Sequence, residues 1–115
     1  MHALYLAFLN SWRGLVHGAR TERAVRLELA LLGIGVPLAC LVGASLWVRV
    51  ALIVSLLLML AAEFLNTAIE KLCDHLHPDH HPRIGIVKDL ASAGTFLAQG
   101  IAALVWLAAL YERLP

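Results

Sequence analysis

Twenty consecutive residues, Leu29 to Val48, carry no charge. A helix rises 1.5 Å per residue, so this run is about 30 Å long, the thickness of a bilayer's hydrocarbon core. A second uncharged run, Val50 to Ala62, has thirteen residues and is too short to cross alone. A third, Leu90 to Leu110, has twenty-one, interrupted in polarity only by Ser92, Thr95 and Gln99. Of the 115 residues 61% are hydrophobic, and a soluble domain of this length has too little interior to hide them. Lipid is the natural solvent, and a backbone in lipid must satisfy its own hydrogen bonds. The expected fold is therefore all-α: three transmembrane helices at about 29–48, 50–72 and 89–110 in a single membrane domain spanning 1–115.

The middle span reaches full length only if the helix continues through Glu63-Phe64-Leu65-Asn66-Thr67-Ala68-Ile69-Glu70. On that helix Glu63, Asn66, Thr67 and Glu70 stand at i, i+3, i+4 and i+7, along one face. Ionisable groups at membrane depth are costly and persist mainly where they face a bundle interior, a cavity or a reaction. Carboxylates are the ligands Mg²⁺ prefers, usually one or two of them together with substrate phosphates. A carboxylate at the edge of lipid is also suited to accept a hydroxyl proton. The competing reading is polar glue between helices, or a solvated helix end.

Residues 1–28 form the region before the first span. Residues 1–10 are apolar but short. Over 11–28, Trp12, Leu15, Val16 and Ala19 share one helical face, and Arg13, His17, Arg20 and Thr21 another. That pattern predicts an amphipathic helix lying in the interface, weakened by Gly14 and Gly18. Residues 73–88, with Pro78, Pro82, Gly85 and a cluster of His and Asp, read as a loop. Arg13, Arg20, Arg23, Arg26, Lys71, Arg83 and Lys88 lie on one side of the spans, against only Arg49 and Arg113 on the other. The positive-inside rule then puts the N-terminus and the 73–88 loop in the cytoplasm. No signal peptide precedes the first span, so insertion falls to the spans themselves. A net charge of +1 gives no reason to expect a nucleic acid as partner.

Other constellations are read alongside. Lys88 is either a phosphate-neutralising point charge or an interface anchor. Asp89 reads as the cap of the third span. On spacing alone, Glu22 and Glu28 are surface partners of neighbouring arginines, as in Glu22–Arg26. Cys73, His75, His77, His80 and His81 lack the spacing of a zinc site and read as an exposed polar loop. Cys40 and Cys73 suggest no disulfide framework. No phosphate-cradling Gly-rich loop is present. A chain that moves phosphoryl groups without one is not built on a soluble kinase fold.

The run Glu63-x-x-Asn66-Thr67-Ala68-Ile69-Glu70 followed by Lys88-Asp89-x-x-Ser92-Ala93 resembles the prokaryotic integral-membrane diacylglycerol kinase family, which includes undecaprenol kinases. Upstream, Ser11-Trp12-x-Gly14-Leu15 and Glu22-x-Ala24-x-Arg26-x-Glu28 look like that family's surface-helix motif. The resemblance implies an N-terminal amphipathic surface helix plus three transmembrane helices, a homotrimer in the bacterial inner membrane, and phosphorylation of a membrane lipid alcohol by ATP with Mg²⁺. Carried over by position, Glu63 matches the general base. Glu22 and Glu70 match the carboxylates that hold the metal against the nucleotide phosphates, Asn66 an active-site amide, and Lys88 a phosphate contact. Ser11, Trp12, Gly14, Glu28 and Asp89 match supporting positions. Diacylglycerol is the expected substrate and undecaprenol the alternative. A non-catalytic membrane carrier or assembly module is the rival from another class.

Overall fold

The computed structural model describes residues 1–115 and contains four helices: α1 (His2–Thr21), α2 (Arg23–Val42), α3 (Leu46–Leu76) and α4 (Pro82–Glu112). There is no strand. Helices α2, α3 and α4 are each long and apolar enough to cross a membrane. The two 31-residue helices α3 and α4 pack along each other, and α2 packs on α3. Helix α1 leans mainly on α2 and reaches α3 near its own C-terminal end.

The boundaries differ from those read off the sequence. The region 73–88 is not one loop. Helix α3 continues to Leu76, and α4 starts at Pro82, so the connection is only His77 to His81. Proline is at home in the first turn of a helix, where its missing N–H has no partner to lose. The imidazole of His81 caps α4, its Nδ1 accepting from the Arg83 N–H at 3.2 Å. Asp89, expected as that cap, lies two turns inside α4 and is exposed. The first membrane helix begins at Arg23 rather than Leu29, which moves Glu28 from the surface region into α2.

Between α2 and α3 the turn is three residues, Gly43, Ala44 and Ser45. Arg49 reaches back from the first turn of α3, its Nε donating to the Gly43 carbonyl at 3.1 Å. A cation is thereby placed on the carbonyl end of α2, where the helix dipole favours it. A side chain on Gly43 would collide with Arg49 and with the Ala39 carbonyl. Ser45 caps α3 by accepting from the Val48 N–H at 3.3 Å.

The packing between α3 and α4 follows residue size. Leu52, Leu56 and Leu60 are buried one turn apart on α3, and Ala98, Ala102 and Ala109 are buried on α4; Leu52 shares a core with Ala109, and Leu56 and Ala102 line one cavity. Small residues on one helix let the other approach closely, and dispersion contact can drive association in lipid. Ala98 and Ala102 are buried, whereas Gly94 and Gly100 look outward. At the end away from the polar stripe, Ala39, Leu52 and Ala109 form a core backed by Val42, Ile53, Val105 and Trp106. Only 14 of the 115 residues are buried, so most of the apolar surface is left for lipid or for further copies to cover.

Candidate active site

The site begins with a one-residue break. Glu22 alone separates α1 from α2, in an extended conformation at φ −114° and ψ 117°. Its N–H donates to the Gly18 carbonyl at 2.9 Å, and its own carbonyl accepts from the Arg26 N–H at 3.1 Å. The backbone of Glu22 therefore closes one helix and opens the next, which fixes the direction of its side chain. The carboxylate turns to α3. Glu22 Oε1 lies 2.7 Å from Lys71 Nζ and also accepts from Thr21 Oγ1 at 3.3 Å, and Oε2 has no partner. The Lys71 ammonium holds the Glu22 carboxyl below the usual carboxylate range, chiefly through that hydrogen bond. The surface pair Glu22–Arg26 read from spacing does not form, because Arg26 Nη1 donates instead to the Arg20 carbonyl at 3.0 Å.

Close docking of α1 depends on Gly18, which is buried against the Phe64 ring on α3. Phe64 directly follows Glu63, so this contact brings the end of α1 beside the polar stripe. Along the stripe, Asn66 Nδ2 donates to Glu70 Oε1 at 3.1 Å and Thr67 Oγ1 to Glu63 Oε1 at 3.5 Å. Both links join residues four apart, as one helical face requires. From α2, the half-buried Glu28 comes within repelling range of Glu63, which also meets the fields of Glu70 and Glu22. Four carboxylates from three stretches of chain thus converge at one end of the bundle.

Two polar atoms in this cluster are buried without a partner, Glu28 Oε2 and Asn66 Oδ1. Buried acceptors are nearly always satisfied, so both mark places where a donor or a cation belongs. No three His, Cys, Asp or Glu side chains converge closely enough within one chain to cage a metal by themselves, the histidine turn included. The donor set around Glu22, Glu63, Asn66 and Glu70 is all oxygen. It suits a hard cation that takes one or two carboxylates and draws its remaining ligands from phosphate and water.

Other residues singled out by the sequence make no direct contact with the cluster. Lys88 Nζ pairs with Asp74 Oδ1 at 2.5 Å, closing the α3–α4 turn; it touches none of Glu22, Glu63 or Glu70 but lies within electrostatic range of Glu70. Ser11 donates to the Ala7 carbonyl within α1. Trp12 and Gly14 are exposed, with open space around Gly14. In the sequence Lys71 figures only in the charge asymmetry, and neither Lys71 nor Asp74 is tied to the stripe. Their signal was the period of the stripe: 63, 67, 70, 71 and 74 continue one helical face once α3 is carried to Leu76.

The sequence model described as prokaryotic diacylglycerol kinase matches residues 9–110. The chain belongs to the prokaryotic diacylglycerol kinase family. Membership makes it a lipid kinase, implies ATP as co-substrate, and with its three apolar helices makes it a bacterial membrane protein. The kinase is 34% identical over 103 residues to the diacylglycerol kinase of Escherichia coli K12, an alignment covering 90% of this chain and 84% of the relative. It is 35% identical over 96 residues to that of Haemophilus influenzae, covering 84% and 81%. The undecaprenol kinase of Bacillus subtilis is 28% identical over 109 residues, covering 93% and 87%. All the carboxylates of the cluster, with Asn66, Lys71 and Lys88, fall within the matched residues.

Proposed function

We propose that the protein transfers the γ-phosphoryl group of ATP to the primary hydroxyl of diacylglycerol, giving phosphatidic acid and ADP. The observation that carries this reading is the convergence of Glu22, Glu28, Glu63 and Glu70 in a chain of this family. Diacylglycerol is preferred over undecaprenol because the relatives named for it share more identity with the chain.

Glu63 accepts the hydroxyl proton as the lipid oxygen forms its bond to the γ-phosphorus and the bond from that phosphorus to the β,γ-bridging oxygen breaks. ADP leaves with the electron pair of that bond. Thr67 orients the Glu63 carboxylate, and Asn66 orients that of Glu70. Glu22 and Glu70 hold Mg²⁺, which when bound neutralises phosphate charge. Lys88 leaves Asp74 to meet a phosphate, and Glu28 and Asp89 support the site from α2 and α4. Most of the acceleration comes from positioning and charge neutralisation, because phosphoryl transfer asks little covalent chemistry of the protein.

The single chain leaves the four carboxylates partly or fully exposed and much apolar surface bare, which favours a homotrimer with sites completed between copies. In that assembly Ser11, Trp12 and Gly14 of α1 line the approach of the lipid, with α1 lying in the interface. The concentration of Arg and Lys near α1 and the α3–α4 turn favours a cytoplasmic N-terminus.

The test is to supply the purified protein, in lipid, with γ-labelled ATP, Mg²⁺ and either diacylglycerol or undecaprenol. Label in phosphatidic acid supports the reading. Label in neither lipid removes it, and label in the undecaprenol product alone reassigns the substrate.

A further inference from the structure

Helix α1 turns Gly18 toward Phe64 and carries a second face that nothing in the chain covers. There Arg13, His17 and Arg20 stand at i, i+4 and i+7, beside Trp12 and Val16. The five side chains line a shallow cavity of about 340 Å³. No acidic residue occurs anywhere between His2 and Thr21. Four cations near the membrane ends are engaged, Lys71 by Glu22, Lys88 by Asp74, Arg26 and Arg49 by backbone carbonyls, while Arg23, Arg83 and Arg113 stand singly. On α1 the Arg20 guanidinium and the His17 ring meet no hydrogen-bond partner, Arg13 touches only the neutral amide of Asn10, and the three are gathered on one face.

Two guanidiniums and an imidazole around an indole describe a definite kind of ligand: an anionic phosphate with an apolar body next to it. Arginine binds phosphate through a planar fork of donors. Tryptophan favours the depth where headgroups meet acyl chains. In a membrane protein the ligand with both properties is already present at high concentration. We propose that the α1 cavity is a docking site for the headgroup of an anionic membrane phospholipid, held by Arg13 and Arg20 with Trp12 against the upper acyl chain. Arg13 and Arg20 lie on the side of α1 opposite Gly18 and Phe64, and His17, at the edge of the site, is within electrostatic range of Glu22. A negatively charged leaflet therefore fastens α1 and, through the single residue that joins it to α2, steadies Glu22.

The test uses Trp12 as its own reporter. The variant W47F/W106F leaves Trp12 as the only tryptophan of the chain. It is reconstituted in phosphatidylcholine vesicles with equal mole fractions of either brominated phosphatidylglycerol or brominated phosphatidylcholine, and quenching is compared. The expected result is quenching stronger by about twofold or more with the anionic lipid at low salt, as local enrichment by two arginines implies. The preference disappears at about 1 M salt, where the screening length is about 3 Å, and in the further variant R13Q/R20Q. Equal quenching by the two lipids at low salt overturns the proposal. So does an R13Q/R20Q variant that keeps the preference and raises KM for ATP, which assigns the cavity to nucleotide phosphates. Quenching requires no turnover, so its outcome is independent of whether the chain phosphorylates diacylglycerol.

Discussion

The Phe64 ring fills the space that a side chain at position 18 would need: a Cβ placed on Gly18 stands 2.5 Å from Phe64 Cε1. This contact lets the end of α1 settle beside Glu63. Gly18→Leu forces the two helices apart, an overpacking cost of about 1–3 kcal/mol. The expected result is faster hydrogen exchange across the last turns of α1 and a fall in turnover. Adding Phe64→Ala, which opens the space, restores part of both. Unchanged exchange in Gly18→Leu contradicts this account.

Glu63→Gln keeps the size and polarity of the side chain and removes the proton acceptor. Turnover falls by about 10²–10⁴-fold, the usual range for a general base, while the KM for ATP changes little. Glu70→Gln acts differently: it raises the Mg²⁺ concentration needed for half-maximal rate. Steady-state kinetics with Mg²⁺ varied at fixed ATP separate the two roles, which the sequence alone leaves interchangeable.

The Glu22–Lys71 pair fixes a pH dependence. Because Lys71 lowers the Glu22 pKa in the folded chain, the tie contributes stability above the ordinary carboxylate pKa, about 4.3. That contribution is lost as pH falls through the lowered value. Docking of α1 should therefore hold from neutral pH down to the ordinary carboxylate range and loosen only below it. Proteolysis of the α1–α2 junction against pH measures this. Glu22→Gln should be more readily cut near neutral pH and less dependent on acid through this group.

His81 caps α4 through its ring nitrogen. His81→Ala should cost about 0.5–2 kcal/mol, and His81→Asn should cost little, since asparagine is a favourable cap. Asp89→Ala, by contrast, leaves the α4 terminus intact. Thermal unfolding of the three variants in one detergent is the comparison to make.

The three spans were readable because an uncharged run of bilayer length has few alternative uses. The stripe from Glu63 to Glu70 was readable because carboxylates inside such a run need a reason to be there. What the sequence concealed were the ends. Pro78 and Pro82 suggested a long loop, but Pro82 occupies the first turn of α4, where proline is tolerated, so the break is only five residues. The shortened loop brings Asp74 and Lys88 together across the turn, a pairing of residues fourteen apart that no local rule predicts. Gly18 was counted against a helix on propensity, whereas the tertiary contact with Phe64 decides its role. Spacing offered Arg26 as the partner of Glu22, and only the break at Glu22 itself aims that side chain across to Lys71.

The three-residue turn between α2 and α3 bears on how the chain is made. During biosynthesis one end of this helical hairpin must pass through the bilayer. The connecting segment holds one glycine, one alanine and one serine, with the serine hydroxyl and the Gly43 carbonyl already engaged by α3. Almost no hydrated mass has to be carried across, apart from the guanidinium of Arg49. The two helices can enter as a preformed hairpin, and lengthening this turn with polar residues should slow membrane integration before it affects any step of catalysis.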